Sequence, residues 1–333
     1  MVPTKGNHMK LPRRQFLHLV AGALALPAVS RIANAQSYPS RPVRVIVPFA
    51  AGGGTDITAR VIAQWLSERL GQSFVVENRP GGGTNIGTEA AAKSPPDGYT
   101  LLMVGASNTV NPTLYDKLNF DLIRDFAPIA GVIRAPQIVV ANPALPLRTL
   151  PEFIAYAKSN PSKVNMASSG NGSAAHLAGE LFKMLAGVNM QHVPYRGGGP
   201  ALLDLIAGQV QVYFAGMPEA IEYVRAAKVR ALAVTTTSRA EALPEIPALA
   251  EFVPGFDSSI WFGLSAPRNT PISIVDLLNK EINAGLADPR IKARYAELGS
   301  TVFPTAPAEF AKFIADEVEK WGKVVKFSGA KPE

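Results

Sequence analysis

The sequence predicts an α/β protein of two lobes joined by a hinge, and three observations point there. Short runs rich in β-branched and aromatic residues alternate with amphipathic helical patterns along most of the chain, the signature of parallel α/β architecture. The alternation breaks at the proline-containing stretch "ANPALPLRTL" (141–150) and then restarts, which supplies strands for a second sheet. The last helical patterns have almost no strands of their own to cover, so they must return to the first sheet.

The first unit opens with "VRVIVPF" (43–49), which reads as a buried strand. From Thr55 to about Leu70 the spacing of Ile57, Val61, Ile62, Trp65, Leu66 and Leu70 predicts a helix, stopped by Gly71. "SFVVEN" (73–78) reads as the next strand, "TNIGTEAAAKS" (84–94) as a short helix and "YTLLMVG" (99–105) as a third strand, with the turn "SPPDGY" between the last two. The second unit starts with the helix "LPEFIAYAKSN" and continues as strand 164–168, a helix from Ser173 to about Leu185, and strand 190–195. Helix 200–208, strand 210–216, helix 218–227 and strand 229–236 complete it. The three-proline stretch 241–256 reads as a surface excursion. "SIWFGLSAP" (259–267) is a further strand, followed by helices at about 272–287, 289–298 and 307–325, with a short strand at 301–303. The expected lobes are 36–136 with 260–333, and 137–259; the chain crosses between them near Ala135-Pro136 and near Ser259-Ile260. A hinged pair of α/β lobes places its ligand cleft between them, at strand C-terminal ends.

Residues 1–35 read as an export signal. An arginine pair (Arg13, Arg14) precedes an apolar core from about Phe16 to Val29, and Ala33-Asn34-Ala35 before Gln36 offers a small-residue cleavage site, with cleavage expected after Ala35. The core is too short for a membrane span. The arginine pair followed by Gln15, Phe16 and Leu17 resembles a twin-arginine signal; an ordinary secretory signal is the alternative. Met9 begins a more usual n-region than Met1.

Removing the signal changes the charge. The 333-residue chain carries 33 Lys+Arg against 26 Asp+Glu, but five of the basic residues and none of the acids lie in 1–35, leaving a net charge of +2. A nucleic-acid partner thereby loses its main support. The chain has no cysteine, which excludes disulfides, thiolate metal sites and a cysteine nucleophile. No cofactor is implied.

Four glycine loops carry the chemistry. In "VPFAAGGGTD" (47–56) a strand runs through three glycines into a helix, so free N–H groups and the positive end of a helix dipole point into one small space suited to an anion. No Lys follows the glycines as a Walker loop requires, and a dinucleotide fingerprint would need a glycine where Asp56 and Ile57 stand. A carboxylate, with one charge and a planar fork, needs only two or three donors. "NRPGGGTNIG" (78–87), "SSGNGSAAHL" (168–177) and "YRGGGPALL" (195–203) repeat the design, the last adding Arg196 beside Gly197. Glycines that merely permit tight turns would explain any one loop; four at equivalent places are harder to explain so.

Together "PFAAGGGTD", "NRPGGGTNIG", "SSGNGSAAHL", "PYRGGGPALLDLIAGQV" and "WFGLSAP" resemble the Bug-type receptors of tripartite tricarboxylate transporters, over essentially all of Gln36 to Gly329. The resemblance implies a two-lobed periplasmic binding protein of the Venus flytrap type, type 2-like. Such a protein is a monomer that closes on a small organic carboxylate and delivers it to a membrane permease. It further implies that Phe49, Ala50, Thr55 and Asp56 lie on one jaw with Ser107. Ser169, Gly170, Asn171, Ser173 and His176 lie on the other.

Several of these residues have ordinary readings too. Asp56 either favours a helix dipole or orders water and accepts an ammonium group. His176 is a ligand donor or a plain imidazole. Arg196 suits the distal carboxylate of a diacid, or a salt bridge. Met217, Phe214 and Trp261 either line the pocket or pack in the core. Catalysis is weakly supported: no nucleophile elbow or metal-spaced cluster appears, and a hydrolase would have to use Ser169 with His176. A periplasmic sensor that feeds a signalling protein would look the same in sequence as a transport receptor.

Overall fold

Strand β1 (Val43–Val47) lies inside the first sheet, next to its edge strand, and every residue of it but Arg44 is buried. It pairs in parallel with β2 (Phe74–Asn78) on one side and β3 (Thr100–Gly105) on the other. Helix α1 (Gly54–Leu70) connects β1 to β2. It buries Ile62, Ala63, Trp65 and Leu66 and ends at Gly71, whose φ of 70° lets the chain turn out of the helix. A 3-10 turn, Gly82–Thr84, leads into α2 (Asn85–Ala92), and β3 runs directly into α3 (Ala106–Leu114). The computed structural model describes residues 1–3, 38–161 and 163–328, so all but the first three residues of the expected export signal, and its cleavage site, lie outside the described residues.

The two sheets share one strand. β4 (Phe126–Ala141) pairs antiparallel with β9 (Ser259–Pro267) through Pro136, and then from Gln137 onward with β7 (Val212–Gly216) and β8 (Arg230–Val234). β9 in turn pairs antiparallel with β3, and β10 (Thr301–Val302) with β4. The second sheet is completed by β5 (Asn165–Ser168), parallel to both β7 and β6 (Gln191–Pro194). The strand order is therefore β2-β1-β3-β9-β4-β7-β5-β6, with β10 and β8 also on β4. Gln137 stands at the junction: its N–H donates to Thr235 Oγ1, its Nε2 to the Phe214 carbonyl, and its Oε1 accepts from Ser258 Oγ. The protein is a two-lobed periplasmic binding-protein fold of mixed α/β type, and all these elements belong to one unit, Pro39–Glu333.

Helices cover the second sheet as the periodicity predicts. They are α4 (Leu150–Ser159), α5 (Ala174–Ala186), α6 (Gly198–Ile206) and α7 (Met217–Arg225). Phe153, Phe182, Phe214 and Phe256 fill one side of that sheet, and Tyr213, Met217, Ile221 and Val234 the other. The terminal helices α8 (Ile272–Ala287), α9 (Pro289–Glu297) and α10 (Pro307–Ser328) pack back on the first sheet. Trp65 Nε1 donates to the Glu281 carbonyl, and Trp261 packs edge-on to Phe310 and Phe313.

Two segments differ from the sequence expectation. Residues 106–114 form α3, where the sequence pattern assigns no element; Asn108 Oδ1 accepts the Gly105 N–H, and its Nδ2 donates to Thr88 Oγ1, so side-chain bonds hold a helix of poor intrinsic propensity. Stretch 241–256 is no surface excursion, because Leu243, Ala248, Leu249, Val253 and Phe256 are buried in the second lobe's core.

Candidate functional site

The C-terminal ends of β1, β3, β5 and β7, and the loop after β6, run into helices whose first turns meet at one cavity. It is lined by Gly53–Thr55 of the α1 start, Ala106 and Ser107 of α3, Ala174 and Ala175 of α5, Gly198 of α6 and Gly216 before α7. Four of these five helices start on a glycine N-cap with no side-chain oxygen: Gly53, Gly105, Gly197 and Gly216. First-turn N–H groups have no partner inside their own helix, so donors without a capping side chain turn to whatever acceptor enters the cavity. Only α5 is capped conventionally, by Ser173, whose Oγ accepts the His176 N–H at 3.2 Å. Five helix dipoles thus aim their positive ends at one volume.

The inner chamber holds about 40 Å³, enough for roughly three water-sized groups. Phe49 and Ser169 form part of its wall and also part of the wall of an adjoining outer chamber of about 180 Å³, which Gly81–Thr84, Gly170, Tyr195 and Arg196 complete. The two jaws touch here. Ala50 N–H donates to the Arg196 carbonyl at 2.9 Å, and Gly197, at φ 144°, leaves no room for a side chain beside Ala50. Gly54 N–H donates at 2.7 Å to Glu219 Oε2 from the second lobe.

Of the residues singled out by sequence, Phe49, Thr55, Ser107 and Ser169 line the inner chamber, and Gly170 and Arg196 the outer one. Ala50 and Gly197 form the seam between the jaws. Asn171 lies half-buried, its carbonyl near Gly83 of the opposite lobe. Three are turned elsewhere. The Asp56 carboxylate accepts from Gly52 N–H, Arg60 Nε and Asn78 Nδ2, each at 2.9 Å. Burial pushes its carboxyl up, but these donors hold it below the usual range. It braces its own loop. Ser173 is spent as the α5 cap. His176 stacks on His192 with ring centroids 3.9 Å apart, and its Nδ1 accepts the Gly172 N–H.

That pair also disposes of a serine–histidine reading. His192 Nε2 lies 2.6 Å from Ser168 Oγ, but Ser168 is fully buried, and burial with its His176 neighbour drives His192 down to about 3. His176, lowered by its own burial, faces His192 and not Ser169. The rings shape the loop from behind.

A family comparison agrees with this geometry. Residues 58–329 match the family described as the tripartite tricarboxylate transporter family receptor. The chain belongs to that family. The receptor is 38% identical to BugT of Bordetella pertussis over 320 residues, 95% of this chain and 98% of that protein. Its fold is similar to that of R. palustris Rpa4515 with adipate, at TM-score 0.86 and 36% identity, covering 89% of this chain and all of the other. It is similar too to MatC of Rhodopseudomonas palustris with bound malate, at 0.81 and 34%, covering 86% of this chain and all of that one. It is a Bug-type solute receptor, not an enzyme.

The sequence reading missed several of the receptor's contributors to the cavity. Tyr213 donates to Glu219 Oε1 at 2.6 Å and is also hydrogen-bonded to Ser169; Oε1 further accepts the Gly216 N–H at 3.0 Å. Tyr213 lines the cavity while its neighbour Phe214 lies in the core, and Phe262 lines it while Trp261 is buried with Glu317. Strand alternation carried that signal: in "VYFAG" and "SIWFG" one aromatic of each adjacent pair must point each way. Glu219 sits third in α7, where a glutamate reads as a routine helix cap.

Proposed function

We propose that the receptor captures a small organic carboxylate in the periplasm by closing its lobes on it, and delivers it to the membrane permease subunits of a tripartite tricarboxylate transporter. The moving lobes are 36–136 with 260–333, and 137–259. The observation that carries the reading is the convergence of five helix N-termini, four of them glycine-capped, on a chamber whose lining holds no Lys or Arg among the described residues. Backbone donors at that density suit a carboxylate head without demanding a particular one. The two chambers fit a ligand whose head sits inside, against Thr55, Ser107 and Ser169, with the remainder reaching Arg196. The adipate and malate complexes of the two similar proteins support a small carboxylic acid. Asp56, Ser173 and His176 serve by holding the gripping loops in shape. Export follows the arginine-pair signal with cleavage after Ala35, and the mature receptor works as a monomer.

Thermal-shift measurement on the chain from Gln36 against mono-, di- and tricarboxylates tests this, since a ligand at one hundred times its Kd adds about 2.7 kcal/mol of stability. At least one carboxylate is expected to raise Tm. A response to nucleotides with none to carboxylates would overturn the reading.

A further inference from the structure

The inner chamber already contains a carboxylate belonging to the protein. Glu219 is only 6% exposed, and its two oxygens take three donors: Gly54 N–H across the cleft, and Tyr213 Oη and Gly216 N–H from its own lobe. The space around it is tight, because a Cβ on Gly198 would overlap the carboxylate itself. A ligand head gripped by Thr55, Ser107 and Ser169 would share with Glu219 a volume only a few water-sized groups across. This inference rests on the carboxylate reading above.

Among the described residues, no cation faces this pair. Tyr213 of β7 is the titratable group that touches Glu219. From α1, Asp56 is turned onto Arg60 and Asn78, and Arg60 is exposed. From β4, Arg134 lies over the Phe303 and Phe313 rings. From α6, Asp204 is held by Tyr195, and on α7 itself Glu222 pairs with Arg225. On α5, Glu180 pairs with Lys183 beside the His176–His192 stack. Two anions in such a space cannot both stay charged at low cost, and one proton between them relieves the repulsion. Burial already pushes the Glu219 carboxyl up against the pull of its three donors.

We infer that Glu219 takes up one proton from solvent when the lobes close on a carboxylate, so that ligand capture is proton-coupled. With the lobes apart, the Gly54 bond is broken and the Glu219 carboxylate meets water in its ionised form. On closure the bulk supplies H⁺, Glu219 becomes a carboxylic acid, and its O–H donates to the ligand oxygen. Release on opening returns the proton. Glu219 is thereby a selectivity residue as well: it favours a ligand group able to accept a hydrogen bond from a neutral acid.

Calorimetric titration of the mature receptor with adipate, malate and benzoate, at neutral pH in phosphate and in Tris buffer, reads the proton directly from the buffer dependence of the heat. Uptake close to one proton per ligand is expected. Affinity is then expected to fall by up to about tenfold per pH unit as pH rises through the neutral range. Glu219→Gln should bind with no uptake and a flat pH profile. Tyr213→Phe, which removes one donor but keeps the carboxylate, should move the fall in affinity to higher pH. Binding without proton uptake in the wild type overturns the inference and leaves the carboxylate reading standing, whereas no binding by any carboxylate overturns both. Uptake that persists in Glu219→Gln, or an unmoved pH profile in Tyr213→Phe, overturns the assignment to Glu219.

Discussion

Asp56 and Glu219 occupy the same place on two helices. Each is the third residue of a helix that begins at the same cavity on a glycine cap, one in the first lobe and one in the second. Their surroundings part them. Asp56 finds a cation and an amide on its own lobe, Arg60 and Asn78, and turns away from the cleft. Glu219 finds only neutral donors, one of them across the cleft, and remains in the chamber. The lesson is that helix position gives an acid its first backbone partner, while the neighbours brought by the fold decide whether it becomes a brace or part of the site.

The two acids can be set against each other by experiment. The largest effect is expected from Glu219→Leu, which leaves the Tyr213 hydroxyl and the Gly216 N–H of its own lobe without their acceptor; urea unfolding of the ligand-free receptor should show a loss of about 2 kcal/mol or more. Next is Gly199→Ala. Its Cβ would overlap the Ala51 carbonyl of the opposite jaw. Because the clash exists only when the lobes meet, calorimetry should show at least about a tenfold loss of carboxylate affinity, with little change in the ligand-free Tm. Equal loss of Tm and affinity would mean that the contact is structural.

A smaller effect, near 1 kcal/mol of stability with affinity almost unchanged, is expected from Asp56→Asn. Its pH signature should be opposite to that of Glu219. The Asp56 carboxyl is held low, so its contribution is present above the unfolded value near 4 and is lost as pH falls through the folded one. The Glu219 carboxyl is raised, so its contribution is full below the unfolded value of about 4.3 and is lost as pH rises toward the folded one. Unfolding curves across that range, taken with a saturating carboxylate ligand so that the lobes are closed, should therefore show Asp56→Asn converging on wild type in acid, and Glu219→Gln gaining on it as pH rises. Smallest is Arg196→Ala at the exposed wall of the outer chamber: dicarboxylates should lose a few-fold in affinity and monocarboxylates almost none, since an exposed ion pair contributes under about 1 kcal/mol.

Much of this molecule could be read from its chain. Buried parallel strands announce themselves as apolar runs, as in "LLMVG" of β3, and surface helices by their spacing, as with Ile62, Trp65 and Leu66. Both signals are local, and so are the glycine loops that leave helix N-termini uncapped. Local signals also located Thr55, Ser107, Ser169 and Arg196 near one another, because each lies between the end of a strand and the first turn of the helix that follows it. Helix α3 was illegible because its Asn and Thr residues disfavour helix by themselves, and one of the Asn108 bonds that rescue it reaches Thr88 of another segment.

The sequence by itself determined the strand–helix alternation, the uncapped loops that suit an anion, and the absence of cysteine chemistry. Only the tertiary structure decided which donors and acids share the chamber. Glu219 meets Gly54 across 165 residues of chain, and Tyr213 rather than Phe214 faces inward, because pairing β4 with β7 sets the register that points one aromatic at the cleft and the other at the core. Such contacts depend on how two sheets meet at one shared strand, and no short window of sequence carries that information.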